Sequence, residues 1–212
     1  MSNYNFIIIE GNIGSGKTTL ASKLANDNNS RLILEQFADN PFLPKFYKEP
    51  DKYAFPLELS FLAERYHQLK SELTKHDLFQ PSIVSDYYFL KSLIFAKANL
   101  PEDEFELYSK LFYIIYDSLP KPELFVFLYC DVKKLQENIR KRGRNYEQNI
   151  PDEYLLKIQN SYLDFLKQLS DLRIVMIDVN NLDYSANETD YLIVKDLLAK
   201  KYPLGITRIF GE

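Results

Sequence analysis

The residues best suited to chemistry stand together near the start of the chain. Gly11-Asn12-Ile13-Gly14-Ser15-Gly16-Lys17-Thr18 fits G-x-x-x-x-G-K-T, a spacing that cradles polyphosphate. Glycines let the backbone turn tightly and lay its N–H groups against phosphate oxygens. Thr19 continues into a helix whose N-terminal pole adds roughly half an elementary positive charge. Lys17 reaches the β/γ phosphates, and the Thr18 hydroxyl ligates Mg²⁺. The plainer alternative is a glycine-rich turn that binds nothing. Against it, three of the chain's six glycines fall within six residues here.

Acids form a second set. Glu10, Glu35, Asp86, Asp131 and Asp178 each follow a short apolar run that reads as a strand. In an open α/β sheet, ligands sit beyond the carboxyl ends of the strands. All five therefore belong to the edge that carries the phosphate loop. Asp131 and Asp178 read as helix caps. Glu35 and Asp86 come from the strands expected to flank the loop, and are read as functional.

Two further clusters stand out. On a helical wheel for residues 51–75, Phe55, Leu59, Leu62, Tyr66 and Leu69 form an apolar stripe, widened by Leu57 and Phe61. Glu58 and Arg65 fall inside that arc, where an unpaired charge is costly. They are either members of an ion pair with a neighbouring helix or polar readers in an aromatic-lined pocket. Arg140, Lys141, Arg142 and Arg144 follow another helix. Cations suit a helix C-terminus, yet beside a triphosphate site, with Gly143 as hinge, guanidiniums that close over a phosphoryl group are the better reading. His67 and His76 read as surface residues, without a second ligand at metal spacing. Phe and Tyr total 31, enough for some to stack on a flat base.

Helices alternate with the strands that must position these groups. Strands are expected at 6–9, 31–34, 80–85, 124–129 and 174–177. Helices are expected at 19–24, 51–75, 88–98, 102–118, 132–141, 152–169 and 187–201, with polar, proline-punctuated chain around Ala38-Asp39-Asn40-Pro41. This is an α/β three-layer sandwich: a five-stranded parallel sheet, helices on both faces and an arginine-bearing lid at about 140–150. The tail after Pro203 carries no pattern. At 212 residues, 1–212 reads as a single domain. Hydrophobic residues at 46% and a net charge of −4 without a basic stripe disfavour a nucleic-acid polymer as partner. One cysteine, Cys130, excludes an internal disulfide framework. With no signal peptide or membrane span, the expected place is the cytoplasm.

Taken in order, the motifs resemble the deoxynucleoside kinases, and within them the bacterial deoxyguanosine/deoxyadenosine kinase branch. They are G-N-I-G-S-G-K-T, Glu35, Phe46-Tyr47-x-x-Pro50-x-x-Tyr53-Ala54-Phe55, Asp86, Ile94-Phe95-Ala96 and Arg142-Gly143-Arg144-x-x-Glu147. The resemblance covers about 5–200. It implies that Glu35 takes the proton from the substrate 5′-hydroxyl and that Tyr47 and Glu147 hold the 3′-hydroxyl. It implies that Phe95 stacks on the base, that Phe46 lines the same cavity, and that Glu58 and Arg65 read the base edge. Arg142 and Arg144 would be lid arginines on the phosphates, and Asp86 would lie near Mg²⁺, through water. Members are usually homodimers, built through helices.

The chain departs from the family pattern at three places. Asp86-Tyr87-Tyr88 stands for Asp-Arg-Ser, Asn138 replaces an arginine at the start of the lid, and Lys91 stands about where many members have an acid. Glu58 stands where most members carry glutamine. An ionised carboxylate only accepts hydrogen bonds, which suits the adjacent N1–H and N2–H₂ donors of guanine. The expected substrate is a purine deoxynucleoside, deoxyguanosine ahead of deoxyadenosine, unless Glu58 is protonated or neutralised by Arg65 or Lys91. The expected reaction is transfer of the ATP γ-phosphoryl group to the 5′-hydroxyl, with Mg²⁺, Lys17 and the lid arginines stabilising charge. Two alternatives are a nucleoside monophosphate kinase, which needs a basic acceptor site, and a regulatory nucleotide switch. The GTPase strings N-K-x-D and D-x-x-G do not occur.

Overall fold

A computed structural model describes residues 3–36, 40–75, 79–80 and 82–209. Ala38-Asp39, Pro81 and His76 lie outside the described residues. The sheet is assembled from β1 (Phe6–Gly11), β2 (Arg31–Ile33), β3 (Ile83–Ser85), β4 (Leu124–Tyr129), β5 (Arg173–Asp178) and β6 (Gly205–Ile209). Its order is β2-β3-β1-β4-β5-β6, and every neighbouring pair is parallel. The expected five strands become six. β6 is a half-buried edge strand built from Gly-Ile-Thr-Arg-Ile. The order also amends one placement: β3 pairs with β1, whereas β2 lies one strand further out.

Strands β1 and β4 are apolar throughout because both of their faces are covered. Along β1, Phe6 and Ile8 face one helical layer, and Ile7 and Ile9 face the other. Phe125 and Phe127 of β4 alternate with Leu124, Val126 and Leu128 in the same way. Ile7, Ile8 and Ile9 are no more than 2% exposed, and burying each stabilises the fold by about 1.5–3 kcal/mol. The strand that feeds the phosphate loop is thereby anchored on both sides.

One layer holds α3 (Pro50–Thr74), α4 (Leu90–Asn99), α5 (Glu102–Tyr116) and α7 (Asp152–Leu166), with the short α2 (Leu43–Phe46) beside α3. The other holds α1 (Lys17–Asn28), α6 (Val132–Arg142) and α8 (Glu188–Leu198). The stripe expected on α3 is rotated. Ala54, Leu57, Phe61, Leu62 and Leu69 are buried together with Glu58 and Arg65, while Leu59 is exposed. Much of the aromatic excess serves the core: Phe89 and Phe112 stack at 4.9 Å, and Tyr88, Tyr108 and Tyr162 are fully buried.

Candidate active site

From β1 the chain enters a turn that ends where α1 begins. Asn12 ties it down, with Nδ2 donating to the Leu155 carbonyl and Oδ1 accepting from Ile13 N–H, both at 2.8 Å. The Ser15 N–H donates to Asn12 O at 3.2 Å. Gly14 and Gly16 have φ of 84° and 86°, a left-handed backbone that costs other residues roughly 1–2 kcal/mol. Asn138 donates to the Gly14 carbonyl at 2.8 Å, so the residue in place of an arginine holds the loop itself. The Lys17 ammonium reaches back to Asn12 O at 2.7 Å. Burial, then the neighbouring Lys91, pull its pKa down to about 8 against Glu10, Glu35 and Asp86. A desolvated ammonium in this position gains from any incoming anion.

Gly14 to Thr19 line a cleft together with residues 182–186, with Lys134, Lys141, Arg142 and Arg144 adding positive charge. Lys17 and Thr18 also line a second cavity, lined too by Glu35, Glu58 and Phe95. Thr18 Oγ1 donates to Asp86 Oδ2 at 2.5 Å, and Asp86 Oδ1 accepts from Glu35 N–H at 2.8 Å. Asp86 therefore joins the phosphate loop to the backbone of Glu35.

Both oxygens of Glu35 are engaged. Nε and Nη2 of Arg65 each approach Oε1 at 2.8 Å, and the Lys91 ammonium lies 2.5 Å from Oε2. Burial pushes this carboxyl up, but Lys91 and Arg65 outweigh it and hold the pKa at about 2. Arg65 also donates to Ser92 at 2.9 Å. Its partners are thus Glu35 and Ser92, not Glu58. Glu58 instead accepts from Asn99 Nδ2 at 2.7 Å through Oε1, and its Oε2 has no partner among the described residues. Burial raises Glu58 to about 7, against Arg65, Asn99 and Lys91.

Phe46 and Tyr47 meet edge to face at 5.5 Å, and Tyr154 lies 6.1 Å from Phe46. Burial, with Glu147 next, raises the Tyr47 hydroxyl pKa, so it remains a neutral donor. Buried Glu147 pairs with Arg142, and with Arg144 at 3.3 Å. Gly143 provides the left-handed C-cap of α6 (φ 72°) between those arginines. Arg142 and Arg144 line both the phosphate cleft and the second cavity.

The other strand-end acids behave differently from expectation. Glu10 lies within β1, fully buried, accepting from Tyr88 N–H and the Tyr162 hydroxyl at 2.9 Å each. Asp131 occupies the N-cap position of α6 without a side-chain capping bond. Asp178 ends β5 and accepts from Asn180 N–H at 2.9 Å in a local turn, so neither acid caps a helix through its side chain. His67 is exposed. Tyr87, at the position where the family pattern has arginine, is buried and donates to Gln68 at 2.7 Å. Sequence reasoning missed Asn99 and the Lys91–Glu35 bridge. Lys91, Phe95 and Asn99 recur every four residues on α4, and that spacing was the available signal.

A model of the family described as deoxynucleoside kinase matches residues 7–201. The chain is 36% identical over 197 residues to a deoxyguanosine kinase of Bacillus subtilis, covering 90% of this chain and 94% of that protein. It is 34% identical to a deoxyadenosine kinase of Dictyostelium discoideum, covering 77% and 67% respectively. A solved structure of deoxyadenosine kinase from M. mycoides, with dCMP and a flexible dCDP bound, superimposes with a TM-score of 0.78. It is 25% identical and the match covers 91% of this chain and 97% of that one.

Proposed function

The chain belongs to the deoxynucleoside kinase family, and on that premise we propose how its residues carry the ATP γ-phosphoryl group to the 5′-hydroxyl of a purine deoxynucleoside. The single observation behind this is the cavity that Lys17 and Thr18 share with Glu35, Glu58, Phe95 and Glu147. The triphosphate lies on the backbone of residues 11–19, with Lys17 at the β/γ phosphates. The nucleoside fills the second cavity, its base against Phe95 and Phe46 with Glu58 and Arg65 at the polar edge. Tyr47 and Glu147 take the 3′-hydroxyl, which places the 5′-hydroxyl between Glu35 and the transferring group.

Glu35 acts mainly by orientation. A carboxylate held at about 2 is a feeble base, but phosphoryl transfer through a loose transition state asks chiefly for positioning and charge stabilisation. Arg65 and Lys91 leave a lone pair on Oε2 for the hydroxyl, whose proton passes to Glu35 as the new bond forms. Arg142 and Arg144 turn to the phosphoryl oxygens when nucleotide fills the cleft. Thr18 Oγ1 and the Asp86 carboxylate offer adjacent hard oxygen donors, which fit Mg²⁺ accompanied by phosphates and water. When bound, Mg²⁺ neutralises charge on the β and γ oxygens. The cations along the acceptor side are already paired, Arg65 and Lys91 with Glu35, and Arg142 and Arg144 with Glu147. That favours a neutral nucleoside over a monophosphate.

We read residues 1–212 as one kinase domain with its lid at about 140–150, acting as a homodimer in the cytoplasm. Among the described residues, no helix is long and apolar enough to cross a membrane. Glu35→Gln tests the mechanism. With deoxyguanosine and ATP, kcat should fall about 10²–10⁴-fold while nucleoside binding stays within a few-fold. Near-normal turnover would remove Glu35 from its role.

A further inference from the structure

Glu58 is a buried carboxylate with one oxygen engaged and one without a partner. It sits 1% exposed in the wall that also holds Phe95. Asn99 donates to Oε1, so a proton on this group belongs on Oε2. We propose that the charge state of Glu58 selects the purine: ionised, it takes deoxyguanosine; protonated, it takes deoxyadenosine. This rests on the nucleoside reading above and adds the rule for choosing the base.

The atoms pair as follows. Guanine presents N1–H beside N2–H₂, two donors that the two oxygens of a carboxylate accept together, since Oε1 keeps a lone pair beyond Asn99. Adenine presents N1, an acceptor, beside N6–H₂, a donor. Protonated Glu58 answers with an Oε2–H donor and an Oε1 acceptor. Either mismatch leaves buried polar groups facing like groups, the situation in which a site rejects an analogue most strongly.

The surroundings allow both states. Arg65 on α3 and Lys91 on α4 are bound to Glu35, which itself repels a charge on Glu58. From α5, Tyr108 donates its hydroxyl to the Glu58 carbonyl at 3.2 Å, not to the carboxyl. Tyr47 after α2 and Tyr154 on α7 complete the ring of titratable neighbours, and burial raises the pKa of both phenols. Burial raises Glu58 to about 7, so both forms are populated near neutrality, and their ratio changes tenfold per pH unit away from the extremes.

Internal competition provides the test. The wild-type enzyme, ATP, Mg²⁺ and equimolar deoxyguanosine and deoxyadenosine are incubated from about pH 5.5 to about pH 8.5, bracketing the value near 7. The dGMP:dAMP ratio reports the two kcat/KM values in one mixture, so Lys17, which titrates at about 8 and serves both substrates, cancels. The ratio should rise tenfold or more with pH, and Glu58→Gln should flatten it. A constant ratio in the wild type, with both products formed, overturns the inference and leaves the kinase reading intact. So does an undiminished slope in Glu58→Gln. Failure of the wild type to phosphorylate either purine at any pH would instead overturn the purine assignment itself. The wild-type profile decides the matter even if the variant does not fold.

Discussion

At the residue scale, the site is a balance of buried charge. Glu35 at 8% exposure faces Arg65 at 4% and Lys91 at 9%. Removing Lys91 leaves a matched Glu35–Arg65 pair; removing the Glu35 charge leaves two cations facing an amide, with Lys17 close by. Breaking a buried pair by deleting the shared partner costs about 3–5 kcal/mol. Losing one charged hydrogen bond while the pair survives costs about 1.5–3 kcal/mol. Glu35→Gln should therefore destabilise the nucleotide-free protein more than Lys91→Met, as read by urea denaturation at neutral pH. The reverse order would mean that Lys91, rather than the Glu35 charge, holds this cluster together.

At the element scale, the phosphate loop is fixed from outside by α6 and by the segment before α8. A Cβ at Gly14 would lie 2.7 Å from the Leu135 carbonyl, which is helix backbone and cannot yield. A Cβ at Gly16 would strike the Tyr184 hydroxyl, the tip of a side chain bonded to Ser15 O. Both substitutions also place alanine in the left-handed region. Gly14→Ala and Gly16→Ala should each weaken ATP binding at least tenfold in calorimetry. Tyr184→Phe should restore part of the loss in Gly16→Ala and none in Gly14→Ala. Equal rescue of both, or of neither, would refute this account of the loop. The loop itself was legible because its residue types and spacing are local, and α3 because its apolar period is long. What Glu58 and Arg65 bind was not legible: Asn99, Glu35 and Ser92 come from other elements, and only packing brings them within reach. β6 escaped notice because an edge strand needs one covered face, and Gly-Ile-Thr-Arg-Ile alternates weakly beyond Pro203.

At the scale of the whole molecule, α5 connects the nucleoside cavity to the outside surface. Its inner face is buried: Tyr108 bonds the Glu58 carbonyl, and Phe112 stacks on Phe89 just before α4. Its outer face exposes Leu107, Leu111 and Ile114, the last at 77%, spaced four and three apart and so on one stripe. Apolar side chains aligned this way suit an interface with a second copy of the chain, in keeping with the proposed homodimer. Leu111→Glu with Ile114→Glu would set four carboxylates across a two-fold interface, where like charges repel and lose solvation. In sedimentation equilibrium the wild type should weigh twice the 25.0 kDa chain and the double variant a single chain. Because α5 reaches the nucleoside cavity through the bond from Tyr108 to Glu58, KM for the nucleoside should rise several-fold while KM for ATP stays unchanged. A wild-type protein that sediments as one chain, or a double variant that remains dimeric, would remove α5 from the interface.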